Sequence, residues 1–353
     1  MKKSIRQRMI LERVQAAVPH ELLSTKELAA HFDVSEATIR RDFKALASAG
    51  LIQRQYGGAQ LTPAPASSIV GQVGIILSTR IDKYRDPFYN MVLEGVDRAL
   101  ERHSYQFAFV KTLHEIDSPA KARHLLETFA IDGLILLGTD LIDRIRYLRD
   151  HFSPVVPIVT TDDKHDIEDD VILFDGAKGM RALVEHLVSL GHRRLGFVSG
   201  NVDIRHAGYC QGLEAFDLPQ DDGLRQILEP GPSGWTPDLG ERGARKLMAT
   251  EPRPDAIVCA SDRLAIGAMG WLQRNGFRVP EDIAVTGFDN IPDAQFTFSP
   301  LTTVNVHKGL MGELAAERLV QRIEKPDNRY LKIITPVSLV IRQSCGADLQ
   351  EDR

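Results

Sequence analysis

The stretch FDVSEATIRRDFKALASAGLIQRQYGGA, residues 32–59, decides how the front of the chain is read. Ser35 is a good N-cap, because its hydroxyl can accept from a backbone N–H two or three residues on. No Gly or Pro follows until Gly50, which suits a helix stop. A single helix is expected between them. Ile39, Phe43 and Leu46 recur at i, i+4 and i+7 and share one face, while Glu36, Ala37, Arg40, Arg41 and Lys44 fall on the other. The apolar face anchors the helix and the basic face is left for a partner. Leu51 to Arg54 has strand character, Tyr56-Gly57-Gly58 is a turn signal, and Ala59 to Leu61 can return, which makes a hairpin wing.

Working outward, Ser24-Thr25-Lys26-Glu27 is a capping box with Leu23 and Leu28 as its hydrophobic staple. The spacing predicts a short helix over Thr25 to His31 that turns through Phe32-Asp33-Val34 into the Ser35 helix, which is helix-turn-helix spacing. An amphipathic helix over Ser4 to Ala17, with Ile5, Met9, Leu11 and Val14 packing inward, completes a three-helix core. The run Val34, Ser35, Thr38, Ile39, Arg40, Arg41, Asp42, then Gly50, Arg54 and Gly57-Gly58-Ala59, resembles the N-terminal signature of the DeoR family of bacterial regulators. The resemblance implies a double-stranded DNA operator as partner. It also implies that Ser35, Thr38, Arg40, Arg41 and Lys44 divide between base edges and phosphates, with Arg54 in the wing.

Composition supports a nucleic-acid head on a different kind of body. Through Leu61, ten Lys or Arg stand against six Asp or Glu, giving +4; the remainder carries 33 against 42, giving −9. A length of 353 residues calls for two or three units with sizeable cores. The N-terminus lacks the apolar run of a secretory signal, and no later run is long enough to span a membrane, so a cytoplasmic protein is expected. Cys210, Cys259 and Cys345 lie far apart without metal spacing, so neither a metal nor a cofactor is expected.

Residues 1–60 are read as the DNA-binding domain and 61–72, LTPAPASSIVGQ, as a linker. From Val73, short apolar strands alternate with longer helices. Strands are expected at 73–77, 107–110, 133–137, 155–159, 195–199, 224–228, 256–260 and 283–287. Helices are expected near 88–102, 118–129, 141–150, 179–190, 205–216, 238–249 and 262–275. The fold class is α/β, two doubly wound parallel sheets behind a winged helix-turn-helix. In such folds ligands sit outside the carboxyl ends of the strands.

The segments 183–201, 205–216, 260–290 and 299–306 resemble, in order and spacing, the effector domain of the LacI family. The match runs from about 73 to 345 and leaves 346–353 as a tail. The resemblance implies a type I periplasmic-binding-protein-like fold, crossed near 171–178, 290–306 and 326–336. One subdomain would hold about 73–174 and 307–330, the latter including a helix over 307–325; the other would hold about 175–290 and 333–345, with a strand over Ile333 to Ile341.

The resemblance also implies an effector cleft. Arg205 matches the family's ligand-hydroxyl Arg, or is a surface Arg at a helix start. Asp289 matches its acidic ligand contact, or is a turn cap. Trp235 either faces the apolar side of a sugar ring or plugs a core edge. Phe88 and Tyr89 match cleft aromatics; Ser78, Asp162 and Asp175 stand at matching places. Asp262 fits an N-cap as well as a ligand contact, and Ser261 stands where sugar-binding relatives often carry Asn. His186 and His192 read as structural.

DeoR-type heads normally precede a sugar-phosphate-isomerase-like domain, and LacI-type effector domains normally follow a hinge helix; this chain resembles neither arrangement. No dinucleotide fingerprint, Walker A or nucleophile–base pair argues for an enzyme. The expectation is a homodimeric, sugar- or polyol-controlled repressor, with control by a protein partner as the alternative.

Overall fold

Ser24 Oγ accepts from Glu27 N at 3.5 Å and opens α1 (Thr25–Phe32). The helix stops at Asp33, left-handed at φ 49, and α2 (Glu36–Ser48) follows after two residues. The structure, a computed structural model, describes residues 6, 9–10, 13, 23–48, 52–55, 58–61, 71–78, 83–116, 118–138, 155–158, 170–231, 234–326 and 329–347. It divides into two units, residues 1–70 and 71–353.

In the first unit β2 (Ile52–Gln55) and β3 (Gly58–Leu61) pair antiparallel, with Gln55 opposite Gly58. A third strand, β1 (Leu23–Ser24), pairs with β3. A two-residue strand has no alternation to detect, so these residues read only as staple and cap. Ile10, Leu28, Ile39, Phe43, Leu46, Ile52 and Ala59 form the core. The expected packing face of the first helix is corrected by one residue: Ile10 is fully buried whereas Met9 is 39% exposed. One residue is about 100° of helix, enough to exchange inside for outside. Ile5, Leu11 and Val14 lie outside the described residues.

The second unit begins with β4 (Gly71–Leu77), so the last two residues read as linker are strand, paired with Tyr105 and Gln106. A side chain at Gly71 would collide with the Tyr105 ring, 2.1 Å from an ideal Cβ. β5 (Tyr105–Thr112), β6 (Gly133–Leu137), β7 (Val155–Ile158) and β8 (Val171–Phe174) complete the first series of parallel strands. α3 (Pro87–Arg102) and α4 (Pro119–Thr128) lie between them in sequence. The expected helix at 141–150 lies outside the described residues. β8 was expected only as a crossover segment; its four apolar residues are all buried.

The second lobe carries α5 (Gly176–Ser189), β9 (Leu195–Ser199), α6 (Ile204–Ala215), β10 (Arg225–Ile227), α7 (Pro237–Leu247), β11 (Ala256–Cys259), α8 (Asp262–Arg274) and β12 (Ala284–Thr286). Its sheet runs β10-β9-β11-β12, all parallel. β13 (Thr303–Val306) continues beside β12 through the Thr286–Thr302 and Asp289–Asn305 bridges. The chain then returns to the first lobe as α9 (Lys308–Glu324), against α3.

The single strand expected over 333–341 is two. β14 (Lys332–Thr335) pairs parallel with β8, giving the first sheet the order β14-β8-β7-β6-β4-β5, while β15 (Val337–Val340) pairs antiparallel with β13. Pro336 separates them, and a residue with no N–H and a fixed φ is a natural break between ladders.

Candidate functional site

The DNA-facing candidates are carried by α2. Ser35 Oγ accepts from Thr38 N at 3.3 Å and lies 2.9 Å from Thr38 Oγ1, so both hydroxyls are tied to the helix start. Ile39 and Phe43 are buried, and Glu36, Ala37, Arg40, Arg41 and Lys44 are exposed. Arg40 is bridged to Glu36 at 2.9 Å on the surface. Asp42 is buried and accepts from Arg6 Nε at 2.6 Å, fixing α2 against the N-terminal segment. Arg54 is in β2 opposite Ala59; its side chain lies outside the described residues.

Of the effector candidates, Arg205 and Trp235 stack on each other, and Arg205 connects through Phe174 to Phe88 and Tyr89. Arg205 starts α6 and is 5% exposed. Its Nη2 and Nε donate to Asp203, Nη1 donates to the Ala260 carbonyl at 2.9 Å, and the guanidinium lies 4.3 Å from the Trp235 ring centroid. Burial works against its charge, but Asp203, then Asp289 and Tyr89, raise its pKa. Tyr89 belongs to the first lobe, so that influence crosses the cleft. Phe88, Phe174 and Phe288 form a ring series across the lobes, 6.4 and 5.7 Å between centroids. Ser78 Oγ is 2.9 Å from Tyr89 Oη.

Asp289 is 7% exposed and sits at φ 108, a conformation that favours Gly. Its N–H donates to Val304 O at 2.9 Å, and its own carbonyl accepts from Lys308 Nζ. Among the described residues its carboxyl accepts no hydrogen bond. Burial pushes its pKa well above the carboxylate range; Arg205 opposes this and Asp262 adds to it, with Lys308 and Asp86 acting in turn. An almost buried carboxyl that accepts no hydrogen bond among the described residues keeps acceptor capacity for a hydroxyl or amine donor.

One candidate is corrected, and a second also has a structural role. Asp262 is neither the N-cap nor open to the cleft: Ser261 Oγ accepts from Leu264 N at 3.3 Å, while Asp262 is fully buried. Its carboxyl accepts from Ile291 N at 2.8 Å and Thr303 Oγ1 at 2.5 Å, holding β13 to the second lobe. Burial pushes its pKa up to about 7. Asp175 is the N-cap of α5, accepting from Lys178 N at 3.1 Å. Asp162 lies outside the described residues. His186 and His192 contact Cys345, at 3.3 Å to Sγ and 3.4 Å to the carbonyl, in the packing beneath β15.

Reading the sequence missed Asp86, Asp203, Arg263 and Lys308. Asp86-Pro87 is a helix-start signal, and Asp86 Oδ1 does accept from Phe88 N at 3.0 Å. Its second role, accepting from Arg263 Nη1 at 3.0 Å, joins the two lobes and has no local signature. Lys308 is buried with its ammonium on the carbonyls of Asp289, Asn290 and Val306.

Residues 6–63 match the DeoR-like helix-turn-helix domain, and residues 184–345 match the periplasmic binding protein-like domain. The chain is a DeoR-like head joined to a periplasmic-binding-protein-like effector domain. The regulator is 26% identical, over 93% of both chains, to the HTH-type transcriptional repressor PurR of Mannheimia succiniciproducens. It is 28% identical to the ribose operon repressor of Haemophilus influenzae, over 73% of this chain and 77% of that one. Among solved structures it is similar to the transcriptional regulator CelR in complex with cellobiose, at 26% identity and TM-score 0.68, over 88% of this chain and 91% of that one. These relatives are transcriptional repressors and regulators, and the chain is a ligand-controlled DNA-binding regulator of the same type. Among the described residues no helix is long and apolar enough to cross a membrane, and no group of His, Cys, Asp and Glu could hold a metal ion.

Proposed function

We propose that the regulator is a cytoplasmic, homodimeric repressor that reads its operator with α2 and the wing and responds to a carbohydrate or polyol in the cleft between its lobes. The observation that carries the effector assignment is Asp289, nearly buried, strained and, among the described residues, without a hydrogen bond to its carboxyl, beside the Arg205–Trp235 stack. A sugar offers what these groups lack: hydroxyls for the acid and the guanidinium's remaining donors, and an apolar C–H face for the aromatics. The ribose operon repressor and the CelR–cellobiose complex support a carbohydrate as the class of effector. Closure about the crossover segments would change the geometry of two paired heads, and an effector acts only through its different affinity for the two states. Two half-sites suit a C2 dimer.

A thermal-shift screen of the full chain against free and phosphorylated sugars, polyols and nucleosides tests this. A ligand at a hundredfold excess over its Kd stabilises by about 2.7 kcal/mol. Asp289→Asn and Trp235→Ala are expected to lose the shift given by the best hit, and a hit that survives both replacements would place the ligand elsewhere. For the head, Arg41→Ala is expected to abolish operator retention in a gel-shift assay. Binding retained within a few-fold would overturn the role given to that face.

A further inference from the structure

α2 turns Glu36, Ala37, Arg40, Arg41 and Lys44 to solvent and buries Ile39, Asp42, Phe43 and Leu46. Among the described residues Glu36 is the only acid on the exposed side, and it is the first residue of the helix. In helix-turn-helix domains the N-terminal residues of the groove helix are the ones that reach base edges. An acid there faces an approaching polyanion, which repels a bare carboxylate. Arg40, one turn on, removes that conflict: its Nη2 donates to Glu36 Oε2 at 2.9 Å, with side chains 64% and 47% exposed. A pair so exposed adds little to helix stability. The helix start is already capped by Ser35, which accepts from Thr38 N. What the pair supplies is an acceptor beside a donor with no net charge, next to Ala37, whose side chain is too small to hold the helix away from the bases.

Among the described residues the contact engages Oε2 and Nη2, so Oε1 and the other guanidinium nitrogens keep hydrogen-bonding capacity. A carboxylate can only accept. The donors in the major groove are N4 of cytosine and N6 of adenine, and beside N6 adenine presents N7, an acceptor that repels a carboxylate. Cytosine is therefore the base that suits Glu36, and O6 and N7 of guanine suit the guanidinium beside it. We propose that Glu36 reads a cytosine in each operator half-site and holds Arg40 for an adjacent guanine. The proposal rests on α2 being the helix that enters the groove, and adds which bases are read there and by which side chains.

The test is sequence selection by the full chain from a library of duplexes with randomised bases, at low ionic strength so that phosphate attraction favours retention. The unmodified protein is expected to prefer cytosine at one position of each half-site by about tenfold. Glu36→Gln keeps the shape but can donate as well as accept, and an amide suits N6 and N7 of adenine, so the preference at that position is expected to move from cytosine to adenine. Glu36→Ala is expected to erase the preference there, and Arg40→Ala the one for the adjacent guanine. A merely structural Glu36 would change affinity for all sequences alike and move no base. An unchanged consensus in both Glu36 variants overturns the proposal, as does a uniform loss of affinity. If Arg41→Ala still abolishes retention in that case, α2 remains the DNA helix and only the reading by Glu36 falls. No retention of any duplex by the unmodified protein would overturn the role of α2 and this proposal with it.

Discussion

Asp262 shows how one buried acid can serve structure at the cost of pH sensitivity. Burial raises its pKa from 3.8 to about 7, so folding favours the protonated form. Its contribution to stability is therefore full below about pH 4 and is lost as pH rises through 7. Melting curves of the unmodified protein and Asp262→Asn are expected to diverge in the variant's favour between pH 5 and pH 8. Identical pH slopes would refute a raised pKa. In the head, Asp42 is buried against Arg6 at 2.6 Å. Removing one partner of a buried pair strands the other, so Asp42→Ala is expected to lower head stability by about 3–5 kcal/mol. Denaturant titration of the full chain, followed by a probe in residues 1–70, measures this.

At the scale of elements, the lobes depend on helices that approach without side chains between them. An ideal Cβ at Gly267 of α8 would lie 1.8 Å from Pro237 O of α7, and one at Gly240 of α7 would lie 1.9 Å from Leu264 O of α8. Backbone cannot move aside as a flexible side chain can, so Gly267→Ala is expected to destabilise the second lobe by about 1–3 kcal/mol despite the better helix propensity of Ala. An unchanged melting temperature would show that the helices can separate freely. At Ser35 the cap hydrogen bond to Thr38 N predicts that Ser35→Ala costs about 1 kcal/mol in urea titration, apart from any effect on DNA contact.

For the whole molecule, the head core and the body cores share no residue, and the chain divides at residues 70 and 71. A fragment of residues 71–353 is thus expected to fold with the body's melting temperature and keep the ligand response, while losing operator affinity. Loss of its cooperative melting would show that the body needs the head. From the charge split, +4 through Leu61 and −9 beyond, DNA affinity is expected to be supplied by the head and to fall steeply with salt, which a gel-shift salt titration measures.

The local rules were legible because they act over a few residues. Ser24 and Ser35 read as caps and are caps; Ile39, Phe43 and Leu46 read as one apolar face and are buried together. Runs such as Gly133–Leu137 read as buried parallel strands and lie inside a sheet. What tertiary structure alone decided was pairing between distant segments. β1 and β8 became strands only through their partners, and Pro336 divided one apolar run between two sheets. Asp262 changed from cap candidate to buried brace because Thr303 and Ile291 arrive from a crossover. Asp86 met Arg263 because the folded chain brings the starts of two helices from different lobes together. Periodicity and capping are properties of neighbouring residues, whereas burial, register and the meeting of charges are properties of the closed chain, and only the second set determines which acids are free to bind.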